Sequence, residues 1–389
     1  MEYRLGGERL RVVYRIAARD EAEARVRAED VCIEQTVEFP EDLVRDPDIR
    51  RGIFGQLEAL APAGSSERAA LGWDATIGYA VEIVGRELTQ LLNVIFGNVS
   101  LKPGIRVEQL ELPPGLLALF PGPRFGRAGL RALLAAPARP LLCSALKPLG
   151  LTAGQLAALA GQLALGGLDL IKDDHGLADQ PFAPFRERVA RCAAAVAEAN
   201  ARTGGRCRYL PNVSAPAGEL GERALLAREL GAGGLLVSPG LVGLDALRRL
   251  ADDDGPGLPI LAHPALLGSY VVHPDSGIAH RVLFGLLLRL AGADGVVFPH
   301  AGGRFSFSLE ACRSLAAGTA EAMGRLRPAF PAPAGGMRLE RVAELRAFYD
   351  DEAIFLIGGD LHRCADLVAA CRRFRELVEE ELPTVVRCR

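Results

Sequence analysis

Residues 172–175 read Lys-Asp-Asp-His, and they end the apolar run GGLDLI. An amine, two carboxylates and an imidazole together can transfer protons or hold a metal ion. The lysine is the informative member. Of 45 basic residues only Lys102, Lys147 and Lys172 are lysine; the other 42 are arginine. Arginine stays protonated in a protein, whereas lysine is a primary amine that can lose its proton. The three lysines are therefore candidates for a Schiff base, a proton transfer, or a carbamate formed with carbon dioxide.

A free ammonium at Lys172 would repel a metal ion. A carbamylated Lys172 would present a carboxylate, and Lys172, Asp174 and His175 would then offer two anionic oxygens and an imidazole. That set suits Mg²⁺ less well than three carboxylates, because Mg²⁺ prefers oxygen; the imidazole also admits Mn²⁺, Fe²⁺ or Zn²⁺. Asp173 should face away, since neighbouring strand residues alternate. The simpler alternative is a solvated strand end with local salt bridges.

These groups need a scaffold. Residues 10–17 read as a strand, 20–29 as a helix, 31–38 (VCIEQTVE) as an alternating strand, 75–84 as a strand after a loop containing APAGSSE, 87–97 as a helix and 105–112 as a strand. The order β-α-β-β-α-β predicts a ferredoxin-like α+β domain over residues 1–125. The Pro/Gly-rich LPPGLLALFPGPRFG (112–126) marks the boundary. Beyond it, short strand, turn and helix repeat: PLLCSALKP, LDLIKDD, CRYLPNV, GGLLVSPG, LPILAHP, DGVVFP, AFPAPAGG and EAIFLIGG. Eight such units and a last helix at 363–381 predict an α/β fold with a (β/α)8 TIM barrel over 126–389. A doubly wound open sheet is the alternative.

Active sites of such barrels lie at the C-terminal strand ends. Lys147, the 172–175 run, Asn212, His263, Gly302-Gly303-Arg304, Gly335-Gly336 and Gly358-Gly359 all fall there. The glycine pairs ending the seventh and eighth strands suit a phosphate, whose oxygens backbone N–H groups can grip; ordinary tight turns are the alternative. Arg304 in the Gly-rich segment PHAGGRFSFS suits an anion. His263 could meet a substrate hydroxyl or simply pack, and His300 could be a loop residue. His273, His280 and His362 carry no signal.

With 389 residues, 49% hydrophobic, the chain can bury a sizeable core, and a net charge of −3 gives no sign of a nucleic-acid partner. Its eight cysteines form no CxxC pair, the N-terminus lacks a signal-peptide core, and no apolar run reaches membrane-spanning length. A soluble cytoplasmic protein is expected.

LPPGLLALFPGPRFG, RPLLCSALKPLGL, GGLDLIKDDH…QPF, PAGG and LIGGD, in that order and spacing, resemble the large subunit of ribulose bisphosphate carboxylase (RuBisCO) along nearly the whole chain. The resemblance implies a homodimer whose active sites are shared between subunits. By position, Lys172 would be the carbamylated lysine, with Asp174 and His175 in the other metal-ligand positions around Mg²⁺ or another divalent ion. Lys147 would shuttle protons at the enolate, Asn212 and His263 would line the substrate, and the glycine pairs would bind a phosphate. Glu34 and Asn98 would reach in from the partner subunit.

The departures are equally telling. His175 stands where carboxylases have glutamate, and the second lysine of the family's KPK is missing after Lys147. Pro264 and Val297 replace the arginine and histidine that grip a second phosphate, and Arg304 replaces the lysine that orients carbon dioxide. The chain thus resembles the RuBisCO-like, non-carboxylating (type IV) branch, as do its EQTVEFP and GGRFSFS stretches. That branch implies metal-dependent enolisation of a monophosphorylated keto-sugar or oxo-acid sugar phosphate. The enzyme would be an isomerase, for instance of a methylthioribulose phosphate, or a decarboxylase. A Schiff-base aldolase using Lys147 or Lys172 is a second enzymatic reading. A non-catalytic sugar-phosphate-binding regulator or sulfur/oxidative-stress protein is the non-enzymatic one. The departures predict that pure protein supplied with ribulose bisphosphate fixes no labelled carbon dioxide; acid-stable label would overturn this.

Overall fold

The structure, a computed structural model, describes residues 5–64, 72–216, 218–305 and 307–380. Ser65–Glu67 of the APAGSSE loop, Ser306 and Glu381 lie outside them. The chain forms two compact units. One comprises Met1–Pro121, Leu267–Leu283 and Ala322–Leu326; the other comprises Gly122–Leu266, Phe284–Glu321 and Arg327–Arg389.

The first unit holds β1 (Arg9–Ala17), β2 (Gln56–Pro62), β3 (Gly72–Ala80) and β4 (Ile105–Glu111), with helices Glu21–Glu34 and Leu88–Phe96. The sheet order β4-β1-β3-β2, all antiparallel, is the ferredoxin-like arrangement. Alternation on β1 buries Leu10, Val12, Tyr14 and Ile16 completely, so one face makes the core.

The expected strand at 31–38 is a correction. Residues 31–34 are the last turn of helix Glu21–Glu34, and β2 lies later, at Gln56–Pro62. Val31, Cys32 and Gln35 are buried at helical spacing, so a helical stripe read over eight residues imitated a period of two. The strand expected at 75–84 likewise ends at Ala80, with a 3₁₀ turn over Val81–Ile83.

The second unit carries eight parallel strands: β5 (Leu141–Leu146), β6 (Leu170–Asp173), β7 (Arg208–Leu210), β8 (Leu235–Val237), β9 (Ile260–Ala262), β11 (Gly295–Pro299), β12 (Phe330–Ala334) and β13 (Ile354–Leu356). The chain leaves it between β9 and β11 to add β10 (Gly277–Ile278) to the first unit's sheet, parallel to β4. The ladders run β13-β5-β6-β7 and β8-β9-β11-β12, and an Asn212–Leu236 bridge joins β7 to β8. Between β12 and β13 the strands pack side by side without a ladder among the described residues. The sequence explains the break. Phe330 donates its N–H to Asp294 on the β11 side, so Pro331 and Pro333 turn toward β13, and proline has no N–H to give.

Inside the barrel, Leu141, Cys143, Leu170, Leu210, Leu236, Leu261, Val297, Phe330, Ala332, Ile354 and Leu356 form one apolar cluster. Val297 is therefore core. Two buried carboxylates brace the barrel. Asp169 accepts two bonds from Arg139, at 2.6 and 2.8 Å, and others from Arg375 and the Leu142 N–H. Asp173 accepts from Tyr209 (2.7 Å), Arg188 (3.2 Å) and the Asn212 N–H (3.0 Å).

Asp173 and Arg188 are both fully buried. Removing one member of such a pair strands the other charge without water. Arg188→Met is expected to destabilise the fold by about 3–5 kcal/mol in urea unfolding. Adding Asp173→Asn should recover most of that loss; no recovery would show that packing, not charge, holds this wall.

Candidate active site

The apolar cluster fixes which residues meet above it. Strand side chains alternate, so residues two beyond a core residue face the same interior. On β6 Leu170 is followed by Lys172 and then Asp174. On β5 Cys143 is followed by Ala145 and Lys147. His263 follows Leu261, Asn212 follows Leu210, and Gly358 follows Leu356. Residues from five strands thus share one register at the C-terminal end.

Lys172 is 3% exposed, and its ammonium nitrogen donates to the Asp173 carbonyl at 3.0 Å. Burial lowers its pKa, with the nearby Lys147 acting in the same direction and Cys143 and Asp174 against it. The uncharged amine is therefore favoured relative to a surface lysine. Lys147 Nζ lies 2.8 Å from Asp174 Oδ1, and His175 Nδ1 lies 3.4 Å from the same oxygen. Burial pushes Asp174 up. The His175 hydrogen bond, the Lys147 hydrogen bond and charge, and the Lys172 charge outweigh it, and the carboxyl ends well below its ordinary range.

His175 and His263 stack face to face, 4.5 Å between ring centres and 9° between planes. His263 Nδ1 accepts the Ala265 N–H at 3.2 Å, so the neutral ring carries its proton on Nε2. Burial, then Lys172 and His175, lowers its pKa to about 2. His263 is thus a neutral hydrogen-bond donor at working pH.

Asn212 is brought here, but its amide is already engaged. Nδ2 donates to the carbonyls of His175 (3.0 Å) and Leu177 (2.8 Å), and Oδ1 accepts the Ser214 N–H (3.2 Å). In this structure it braces the loop carrying His175 instead of presenting a free amide. Asp173 faces the wall, as alternation requires.

The glycines divide. A Cβ on Gly303 would lie 2.0 Å from the Gly335 carbonyl oxygen, so that glycine lets two loops touch. Gly302, Gly335 and Gly336 have φ of +76°, +85° and +108°, which favour glycine by conformation. Gly358 and Gly359 have ordinary φ, and a Cβ on either would meet nothing within 4 Å. The space on their Cβ side is open. Arg304 is exposed, with its guanidinium 5.7 Å from the Phe305 ring centre. His300 is packed inside, bonded to the Tyr349 hydroxyl at 2.8 Å.

In the first unit, Gln35 ties the end of helix Glu21–Glu34 to the Asn93 and Val94 carbonyls and to the Val99 N–H. That brings Asn98 Nδ2 to 3.0 Å from Glu34 Oε1, while Lys102 holds Glu34 Oε2 at 3.2 Å and Asp30 at 2.6 Å. Glu34 and Asn98 are therefore one group.

Two residues escaped the sequence reading. Ser238 follows β8 directly, two residues beyond Leu236, and its buried hydroxyl has no partner among the described residues. Its signal was the polar end of GGLLVSPG. His362 Nε2 lies 3.2 Å from the Ala145 carbonyl, beside the β5 position that pairs with Lys172.

Among the described residues, no three His, Cys, Asp or Glu side chains form a ready metal cage. Asp174 and His175 could supply two donors to an ion, and a third would have to come from another group such as a modified Lys172.

Comparison with known proteins agrees with this geometry. The family model for the ribulose bisphosphate carboxylase large chain, catalytic domain, matches residues 127–371. The chain belongs to that family. It is 42% identical over 360 residues to the 5-methylthioribulose-1-phosphate isomerase of Rhodospirillum rubrum, covering 92% of this chain and 93% of the relative. It is 34% identical to the 2,3-diketo-5-methylthiopentyl-1-phosphate enolase of Geobacillus thermodenitrificans, covering 93% and 90%. The crystal structure of a Rubisco-like protein from Rhodopseudomonas palustris superposes with a TM-score of 0.85 at 40% identity, covering 95% of this chain and 97% of that one. Within the family the chain is a RuBisCO-like protein. No helix among the described residues is long and apolar enough to cross a membrane.

The state of His263 has a thermodynamic consequence. Its folded pKa, about 2, lies below the ordinary value of roughly 6.5, so the unfolded chain binds the extra proton first. Stability from this group is complete above that ordinary value and is lost as pH falls toward the folded one. The loss is about 1 kcal/mol per pH unit below roughly 6.5. His263→Gln should flatten the fall in urea midpoint between about pH 7 and 5.5; an unchanged slope would show that His263 is not held neutral.

Proposed function

We propose that this RuBisCO-like protein catalyses enolisation of a monophosphorylated keto-sugar, moving a proton next to a carbonyl, and does not carboxylate ribulose bisphosphate. The observation that carries the reading is the amine cluster: buried Lys172, and the partly exposed Lys147 with its amine 2.8 Å from the Asp174 carboxylate, beside a neutral His263. The named activities of the two relatives, an isomerase and an enolase of methylthio-sugar phosphates, support it. Higher identity to the isomerase favours isomerisation, in which the proton returns to a different carbon; decarboxylation of a branched oxo-acid sugar phosphate is the other form.

Each side chain has a task. Lys147, held by Asp174, carries the proton to or from carbon. His263 presents Nε2–H to a substrate oxygen. The open backbone at Gly358–Gly359 takes the phosphate, and Arg304 takes a second anionic group. Glu34 and Asn98 serve the barrel of a partner subunit in a homodimer.

Lys172, Asp174 and His175 would hold a divalent ion. The fit requires chemistry at Lys172: its neutral amine adds carbon dioxide and releases a proton, giving a carbamate whose oxygens complete the donor set. The uncharged form favoured by burial is the one that reacts. When bound, the ion supplies charge stabilisation for an enolate oxygen. Mg²⁺ is the family's expected ion, and the His175 nitrogen also admits Mn²⁺ or Zn²⁺.

The test is proton exchange in deuterated water, followed by mass spectrometry. Protein preincubated with bicarbonate and Mg²⁺ or Mn²⁺ is given 5-methylthioribulose 1-phosphate and a panel of phosphorylated keto-sugars and oxo-acids. The parent should incorporate deuterium next to the carbonyl. Lys147→Met should slow this by about 10²–10⁴-fold. Lys172→Arg should abolish both exchange and metal binding, because a guanidinium forms no carbamate. A Lys172→Arg chain that binds metal like the parent would refute the carbamate. Binding without exchange across the panel would favour a sugar-phosphate-binding regulator.

A further inference from the structure

We propose that Asp360 and His362 are a positioning pair that holds the turn after β13 in the shape needed to grip a phosphate. The inference rests on the reading above, that Gly358–Gly359 receives the phosphate, and assigns a function to two residues outside that set.

The turn is fixed on both sides. Asp360 Oδ2 accepts the Leu339 N–H at 2.9 Å, tying the turn to the segment after β12. On the other flank, His362 Nε2 lies 3.2 Å from the Ala145 carbonyl of β5. A carbonyl only accepts, so the imidazole donates from Nε2, which fixes the tautomer. β13 pairs with β5 and packs beside β12, so the turn is anchored to both of its strand's neighbours. A third bond, His362 N–H to the Gly358 carbonyl at 3.4 Å, closes the turn on itself.

Between these anchors stand the two glycines at which an added Cβ would meet nothing within 4 Å, so there is room beside the turn for an anion. An anion site made of backbone N–H groups has no side chain of its own to shape it. Its affinity depends on N–H groups already pointing at one place before the anion arrives. Two glycines in succession are the least constrained peptide a chain can offer. Without outside anchors the turn would sample many shapes, and binding would have to supply the ordering cost. Ala145 also pairs with Lys172 across the ladder. The His362 anchor therefore sets the phosphate end of a substrate relative to the amine cluster.

The probe is inorganic phosphate, titrated into the full-length protein by calorimetry beside thermal melting. Gly359→Val tests the underlying reading. If the parent binds phosphate and Gly359→Val does not, the turn is the phosphate site. His362→Ala and Asp360→Ala should then each weaken phosphate by about three- to tenfold, the scale of one hydrogen bond, with melting temperature unchanged. His362→Gln and Asp360→Asn, which keep a donor and an acceptor, should stay within about twofold of the parent. In the exchange assay, the alanine variants should raise KM with kcat nearly unchanged. If Gly359→Val loses phosphate while both alanine variants bind like the parent, the positioning role is wrong and the site stands. Weakening that appears only alongside a fall in melting temperature, or that glutamine and asparagine fail to rescue, also overturns the role. If Gly359→Val binds phosphate normally, or the parent binds none, the reading of the turn itself fails.

Discussion

A primary amine enclosed above an apolar barrel core is the constraint to which the site answers. Lys172 cannot be solvated where it stands, and hydrogen-bonds to one backbone carbonyl. An ammonium in that position is costly. The surroundings relieve part of the cost with charge, from Asp174 close by and Asp173 behind the strand, while Lys147 adds to it. A lysine is tolerable there because it can give up its proton, and an arginine would not be. The chain's near-exclusion of lysine elsewhere then reads as a separation of roles. Arginine forms the structural ion pairs, such as those to Asp169 and Asp173. Lys172 is buried where its proton affinity is lowered, Lys147 pairs with Asp174, and Lys102 clamps Glu34.

The strand after Lys172 shows how alternation separates structure from chemistry. Asp173 and Asp174 are the same residue type, one position apart. Asp173 turns to Arg188 and Tyr209 and locks the wall; Asp174 turns to Lys147 and His175 and faces the mouth. Burial raises the carboxyl pKa of the first, while hydrogen bonds from His175 and Lys147, and the lysine charges, outweigh burial at the second. A one-residue slip of β6 would turn Asp173 toward the mouth and Lys172 and Asp174 toward the wall.

Much of this was legible in the sequence, and the limits have physical causes. The eight barrel strands were legible because each is a short apolar run closed by Gly, Pro or a polar residue. Lys147, Asp174, His175 and His263 were legible because strand ends of such barrels converge. VCIEQTVE reads as a strand because Val31, Ile33 and Val37 fall on alternate positions, whereas the fold buries Val31, Cys32 and Gln35 at the spacing of a helix end. Asn212 was placed correctly, but its hydrogen bonds to the 175–177 loop are tertiary, and no residue spacing records them. His362 was passed over because its meaning lies in a contact with Ala145, 217 residues away. The glycine pairs looked equivalent as sequence, and only the space around each backbone separates Gly303, which permits loop contact, from Gly358 and Gly359, which leave room for a ligand.

The stacked imidazoles show how one substitution alters its neighbour's chemistry. A glutamate at 175 would add a negative charge beside His263 and favour protonation of that ring. The histidine present adds a second flat ring, and its influence on His263 is to lower the pKa further. Burial above all, with Lys172 and then His175 adding to it, keeps His263 neutral, with its Nδ1 tied to Ala265 and its proton on Nε2. A neutral donor can polarise a carbonyl or hold a hydroxyl without giving up its proton. In the proposed reaction, proton movement would then fall to the amines, Lys147 above all. In the proposed donor set a histidine at 175 offers nitrogen where a glutamate would offer a hard oxygen, so position 175 would act on two parts of the site: which ion the donor set prefers, and which side chain remains able to shuttle a proton.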